Sequence, residues 1–202
     1  MSEIPKLLYA SIYDDHVGPI RKAYISCHDL GLDNFTSFQI MSAFDVLSDT
    51  DEALGCFFDE TLGRADYLKI YGFFSAIYLQ HEAIDTLYKF IVDTKVKSIC
   101  RDKAKDNAEF GEIRNLRNGL SAHSSKADYG ETAYFIHRNL TRADTVSFYQ
   151  YKKQVHENYQ ELEKVKSKTY QEIIRVHSDI VTGILKEIEN RLTKQDLACL
   201  TA

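Results

Sequence analysis

The chain predicts a mainly α-helical fold, an up-and-down bundle with a small β-hairpin inserted between an arginine-rich helix and the C-terminal helix. Three observations carry this. Only two prolines occur, Pro5 and Pro19, so nothing after residue 20 removes a helical donor or clashes with a preceding turn. Apolar residues recur at threes and fours over most of the length. One window alone, 132–151, is rich in β-branched and aromatic residues.

The elements follow in order. Residues 14–30 suit a first helix around Gly18-Pro19, with Ile20, Tyr24 and Cys27 on one stripe. Residues 34–47 suit a second, with Phe38, Met41, Phe44 and Leu47 spaced by three. Ser48-Asp49-Thr50-Asp51 reads as a turn, followed by a short helix carrying Leu54, Phe57 and Phe58. The strongest helical signal runs from Ala65 to about Val92 and is apolar nearly all round between Tyr67 and Leu79. Such a helix belongs at the centre of a bundle or in an oligomer interface. Gln80, His81 and Glu82 are its polar exception, and His81 is expected to be satisfied or exposed. No ExxH pairing accompanies it, which argues against a di-iron carboxylate bundle.

A further helix is expected over about 105–122, with Phe110, Ile113, Leu116 and Leu120 buried. Arg114, Arg117, Asn118 and Ser121 fall at spacings of three and four and share another face. Residues 124–130 read as loop. Thr132–Arg138 and Thr145–Tyr151 then form the hairpin, which must lie on the helices because two strands alone are marginal in water. The last helical element spans Lys153 to about Leu192, with Lys164–Lys168 as the point where it would divide in two. His177 lies in its apolar stripe and reads as a tolerated core or edge residue.

The 202 residues suit one domain, with 1–61 as an N-terminal helical extension packed on a bundle core of 62–195. Cys27, Cys56, Cys100 and Cys199 are scattered and form no CxxC pair, as expected of reduced and mostly buried thiols. The start lacks the pattern of a signal peptide, and no apolar run approaches bilayer length. A cytoplasmic protein without membrane contact is the resulting expectation.

A net charge of −5 disfavours broad, nonspecific nucleic-acid binding. The charge is uneven, however. Residues 1–62 hold three basic side chains against eleven acidic ones, whereas 94–126 hold eight basic against four acidic. The basic island contains Arg114-Asn115-Leu116-Arg117-Asn118-Gly119-Leu120-Ser121-Ala122-His123. Arginine presents a permanently charged fork of donors that matches a phosphate, and histidine exchanges protons near neutral pH. No cluster of Asp, Glu, His or Cys has metal-ligand spacing, which disfavours a two-metal phosphodiesterase. Neither a metal nor another cofactor is expected.

Arg117-Asn118, then four residues, then His123 resembles the signature of the HEPN superfamily, small helical-bundle proteins of bacterial toxin and defence systems. Ile113-Arg114-Asn115-Leu116, Ser124-Ser125 and the upstream Gln80-His81-Glu82-Ala83 also look like one subgroup of it. Where that subgroup would carry Gly-His-Pro, this chain has Ala122-His123-Ser124, which alters the exit from the helix. The resemblance implies a metal-independent endoribonuclease in a toxin–antitoxin or defence setting. Arg117 would stabilise the phosphate and His123 would act as general acid or base, with Arg114, Asn118 and Ser121 binding substrate. It also implies a homodimer whose motifs share one basic cleft for RNA or nucleotide, with a protein antitoxin as a further partner. The alternative is a non-catalytic dimeric module that binds nucleotide, RNA or protein. In an ideal helix Arg117 and His123 would point about 120° apart. A composite site therefore needs a helix end that departs from ideality, or two chains.

Overall fold

A computed structural model describes residues 16–26, 32–59, 67–122, 132–136, 141, 144–152 and 164–200. The described chain is mainly helical: α1 (Gly18–Ser26), α2 (Asn34–Asp59), α3 (Tyr67–Ile91), α4 (Ile99–Asp106), α5 (Ala108–Arg117) and α6 (Tyr170–Leu200). A short π-helical turn, Asn118–Ala122, continues α5. Strands β1 (Thr132–Ile136), β2 (Thr145–Lys152) and β3 (Lys164–Thr169) form an antiparallel sheet in the order β1-β2-β3.

Local chemistry sets the helix boundaries. Asp33 begins α2 by accepting from the Thr36 amide at 3.0 Å and the Thr36 hydroxyl at 2.8 Å. The turn expected at 48–51 is instead the middle of α2. Thr50 donates its hydroxyl to the Val46 carbonyl at 2.6 Å, so the polar run satisfies itself within the helix and does not break it. Ser98 caps α4 and Asn107 caps α5, accepting from Arg101 and Phe110 amides respectively. Asn107 therefore divides what periodicity alone reads as one helix from 105. Thr169 and Glu172 form a reciprocal capping box that starts α6.

The hairpin is present and gains a third strand. Lys164–Thr169 was expected to be helical or a break between helices, yet it pairs with β2 from Gln150↔Lys164 to Thr145↔Thr169. Its Lys-Val-Lys-Ser-Lys-Thr alternation is a strand pattern, and the available edge of β2 supplies the hydrogen bonds. Residues 153–163, assigned to the same helix, lie outside the described residues. Val146 and Phe148 of β2 are buried, while Lys166 and Lys168 both pair with Glu112 on α5. The sheet is thus pinned to the arginine-bearing helix from its outer strand.

Buried side chains from all six helices and β2 form one contiguous apolar cluster. Helix α3 is central to it, contacting α2, α4, α5, α6 and the π turn. Phe57, Phe73 and Tyr170 stack edge-on or tilted at 4.7–5.2 Å and join α2, α3 and α6. One side of the α2–α3 pair remains uncovered: Leu68 is 82% exposed, Phe38 73% and Leu79 45%. No described helix is long and apolar enough to cross a membrane.

Candidate functional site

The arginine motif closes over the middle of α3. As α5 advances from residue 110 to 117, its contacts on α3 step back from 81 to 78. Phe110 meets the His81 ring at 5.1 Å, and the Arg117 guanidinium lies 4.3 Å from the centre of the Tyr78 ring. Arg114, one turn after Phe110 and three residues before Arg117, falls between these two contacts. Continuing the helix, Asn118–Ala122 widens into a π turn that packs on α3 and against β1. The helix end therefore departs from ideal geometry over Asn118–Ala122.

Arg117 is 1% exposed. Burial, and next the charge of Arg114, pull its pKa down to about 10, while Glu82, Cys100 and Tyr78 act in the opposite direction. The cation remains charged at neutral pH, resting on an aromatic face in a low-dielectric setting. Arg114 is half-buried and makes no ion pair among the described residues, and its buried Nε–H donates to nothing there. Asn118 is half-buried beside it. Ser121 lies in the π turn, but its side chain is outside the described residues, as is all of His123.

Beneath the arginines lies a polar chain that sequence spacing did not reveal. His81 Nε2 and His177 Nδ1 are 3.0 Å apart, and His177 Nε2 lies 2.7 Å from Gln80 Oε1. Both imidazoles are fully buried. Gln80 Oε1 can only accept, so His177 Nε2 carries the proton and its Nδ1 accepts from His81 Nε2–H. Both rings are then neutral Nε2–H tautomers, and His81 Nδ1 is left as a buried lone pair without a hydrogen bond. Burial pushes the His177 pKa down to about 3, with Arg117 adding to the effect. Burial also holds His81 well below its ordinary value, followed by the influence of His177, Arg117 and Arg114.

Cys100 completes the neighbourhood. Its buried thiol donates weakly to the His81 carbonyl at 3.8 Å, and its amide donates to Asp85 Oδ1 at 2.9 Å. Burial, then the Asp85 carboxylate, push the thiol well above its ordinary range, so it is protonated and inert at neutral pH. Among the described residues, no group of three or more His, Cys, Asp or Glu is arranged to hold a metal ion.

No family model, curated protein or solved structure matches the chain. The functional reading therefore rests on the site itself. Of the expected residues, Arg114, Arg117 and Asn118 come together at one helix end. The pairing of His81 with His177 spans 96 positions on two helices, and the place of His177 on an apolar stripe was its one sequence signal.

Proposed function

We propose that the protein is a metal-independent endoribonuclease of HEPN type, acting as a homodimer in a toxin–antitoxin or defence setting. The observation that carries this reading is the arginine pair at the end of α5. Two guanidinium groups stand close enough for Arg114 to lower the pKa of Arg117, and no described carboxylate forms an ion pair with Arg114. Two neighbouring guanidinium groups favour an anion at Arg114, and a phosphodiester matches both the charge and the forked donor geometry. In this reading Arg114 and Asn118 contact the phosphate from the half-buried rim. Arg117 supplies positive potential from below, where the low dielectric strengthens it. His123 moves the proton as the 2′-hydroxyl attacks the adjacent phosphorus, and a cyclic phosphate and a free 5′-hydroxyl result.

The uncovered apolar stripe of Leu68, Leu79 and Phe38 supports a second copy docking beside α3, which would bring two motifs into one cleft. A second reading, a non-catalytic module binding nucleotide, RNA or a protein partner, is favoured by the burial of Arg117 itself. A guanidinium that is 1% exposed suits a structural anchor as well as a source of charge.

An RNA cleavage assay in EDTA separates the two readings. The ribonuclease reading expects wild-type protein to cut RNA, leave cyclic phosphate ends and spare DNA. His123→Ala should abolish cleavage, because general acid–base catalysis contributes roughly 10²–10⁴-fold, and Arg114→Ala should weaken RNA binding. RNA binding with no cutting would favour the module instead, and neither binding nor cutting would remove the ribonuclease reading.

A further inference from the structure

We infer that the buried chain Gln80–His177–His81 is a positioning device for the arginine pair: it fixes the His81 ring against Phe110, and through Phe110 the seat of the arginine-bearing helix α5 on α3. Its activity arm rests on the ribonuclease reading; its structural arm does not.

The chain has a defined direction. It runs to Gln80, an amide that neither gains nor loses a proton at ordinary pH, so it does not serve as a proton wire. What it can do is fix tautomers. With Gln80 Oε1 accepting from His177 at 2.7 Å and His177 accepting from His81 at 3.0 Å, each ring has one permitted arrangement. The His81 ring is held a second way, against Phe110 of α5 at 5.1 Å. Two imidazole dipoles are thereby aligned head to tail, their N–H ends toward Gln80 and one bare lone pair at the other end.

The groups that bear on His81 come from four elements. From α6 comes His177; from α4 comes Cys100, whose thiol stays protonated. From α5 come Arg114 and Arg117, whose positive charges both bear on His81. Glu82, on α3 itself, is exposed. A protonated imidazole at His81 would set a third cation beside two, so the locked neutral ring is the form compatible with a buried guanidinium nearby. Arg117 rests on the Tyr78 face at 4.3 Å, and Phe110, two turns earlier on the same helix, rests on the locked His81 ring at 5.1 Å. Neither histidine touches substrate in this arrangement. Both are positioning residues.

The test uses the full chain, isotopically labelled, as wild type, His177→Leu and His177→Asn. Leucine fills the space and removes the acceptor for His81, whereas asparagine offers an acceptor toward His81 and a donor toward Gln80. Wild-type ring-nitrogen spectra should show both histidines as neutral Nε2–H tautomers between pH 5 and 8. The Arg117 Nε–H resonance, identified by its loss in Arg117→Lys, should be displaced by the Tyr78 ring. In His177→Leu that displacement should collapse while the resonances of Phe57 and Tyr170 stay put, and His177→Asn should restore it. In the activity arm, kcat should fall about tenfold to a hundredfold in His177→Leu with KM nearly unchanged, and recover in His177→Asn.

An Arg117 resonance unmoved in folded His177→Leu overturns the inference. So does a charged or Nδ1–H form of either histidine in the wild type at pH 7, a measurement that needs no variant to fold. If the wild type cuts no RNA, the ribonuclease reading falls and the spectra alone decide the inference.

Discussion

Lowering the pH from 8 to 5 should destabilise the protein by about 4 kcal/mol, most of it through His81 and His177. In the unfolded chain an imidazole titrates near 6.5, so at pH 5 it is almost wholly protonated. In the folded state His177 titrates at about 3 and His81 well below its ordinary value, so both remain neutral at pH 5. The unfolded chain then binds more protons than the folded one. Stability is therefore complete above about pH 7.5 and is lost as pH falls through 6.5 toward the folded values. Each imidazole forgoes its proton at a cost of about 2 kcal/mol at pH 5, and full burial leaves no solvent to soften the effect. Arg117 and Arg114 oppose protonation of His81, and the Cys100 thiol does not ionise in this window. The carboxylates with lowered pKa, Asp33, Asp102, Glu112 and Glu172, lose their contribution only at lower pH. Urea unfolding at the two pH values measures the difference directly, and thermal scans should show a fall of about 8–16 °C for a chain of this size. In a His81→Gln/His177→Asn variant, which keeps hydrogen-bonding groups but cannot titrate, most of the loss should vanish. Equal stability of the wild type at both pH values, or an undiminished loss in the double variant, would refute the buried neutral pair.

Other perturbations probe separate contacts. A Cβ at Gly111 would sit 2.8 Å from the Ala104 carbonyl oxygen, so Gly111→Ala should cost about 1–3 kcal/mol by prising α5 from α4, read from the denaturant midpoint. Glu112→Gln removes both ion pairs to β3, and their partial exposure limits the loss to about 1 kcal/mol, which should shrink as salt is added. If the arginine pair holds a phosphate, Arg114→Ala should lower the log–log salt slope of single-stranded RNA binding by about 0.7. An unchanged slope would place the RNA elsewhere. Light scattering at micromolar concentration should give about twice the 23.2 kDa chain mass, and replacing Leu68 and Leu79 by Glu should return it to the monomer value.

Sequence alone determined the helical character of this chain, because periodicity at threes and fours together with a proline-free stretch leaves a helix as the natural way to bury one stripe. It also placed Phe110, Ile113, Leu116 and Leu120 in the core, and it brought Arg114, Arg117 and Asn118 to one helix end, since residues three and four apart must share a face. Boundaries were less legible. The polar run at 48–51 stays helical because Thr50 satisfies itself on the Val46 carbonyl, and Asn107 interrupts because its side chain caps the next helix. Strand β3 was hidden for another reason: a short lysine-rich segment becomes a strand only when a partner edge is present, and β2 supplied it. The least visible feature was the most buried. His81 read as part of a polar run with Gln80 and Glu82, and His177 as a lone polar residue on an apolar stripe, so neither pointed to the other. Only the packing of α3 against α6 turned them into a pair with Gln80, and only α5 laid across them showed which charges they face. Periodicity reports which side of a helix is buried, but a hydrogen bond across 96 residues depends on where two such sides meet, and that is decided by tertiary packing.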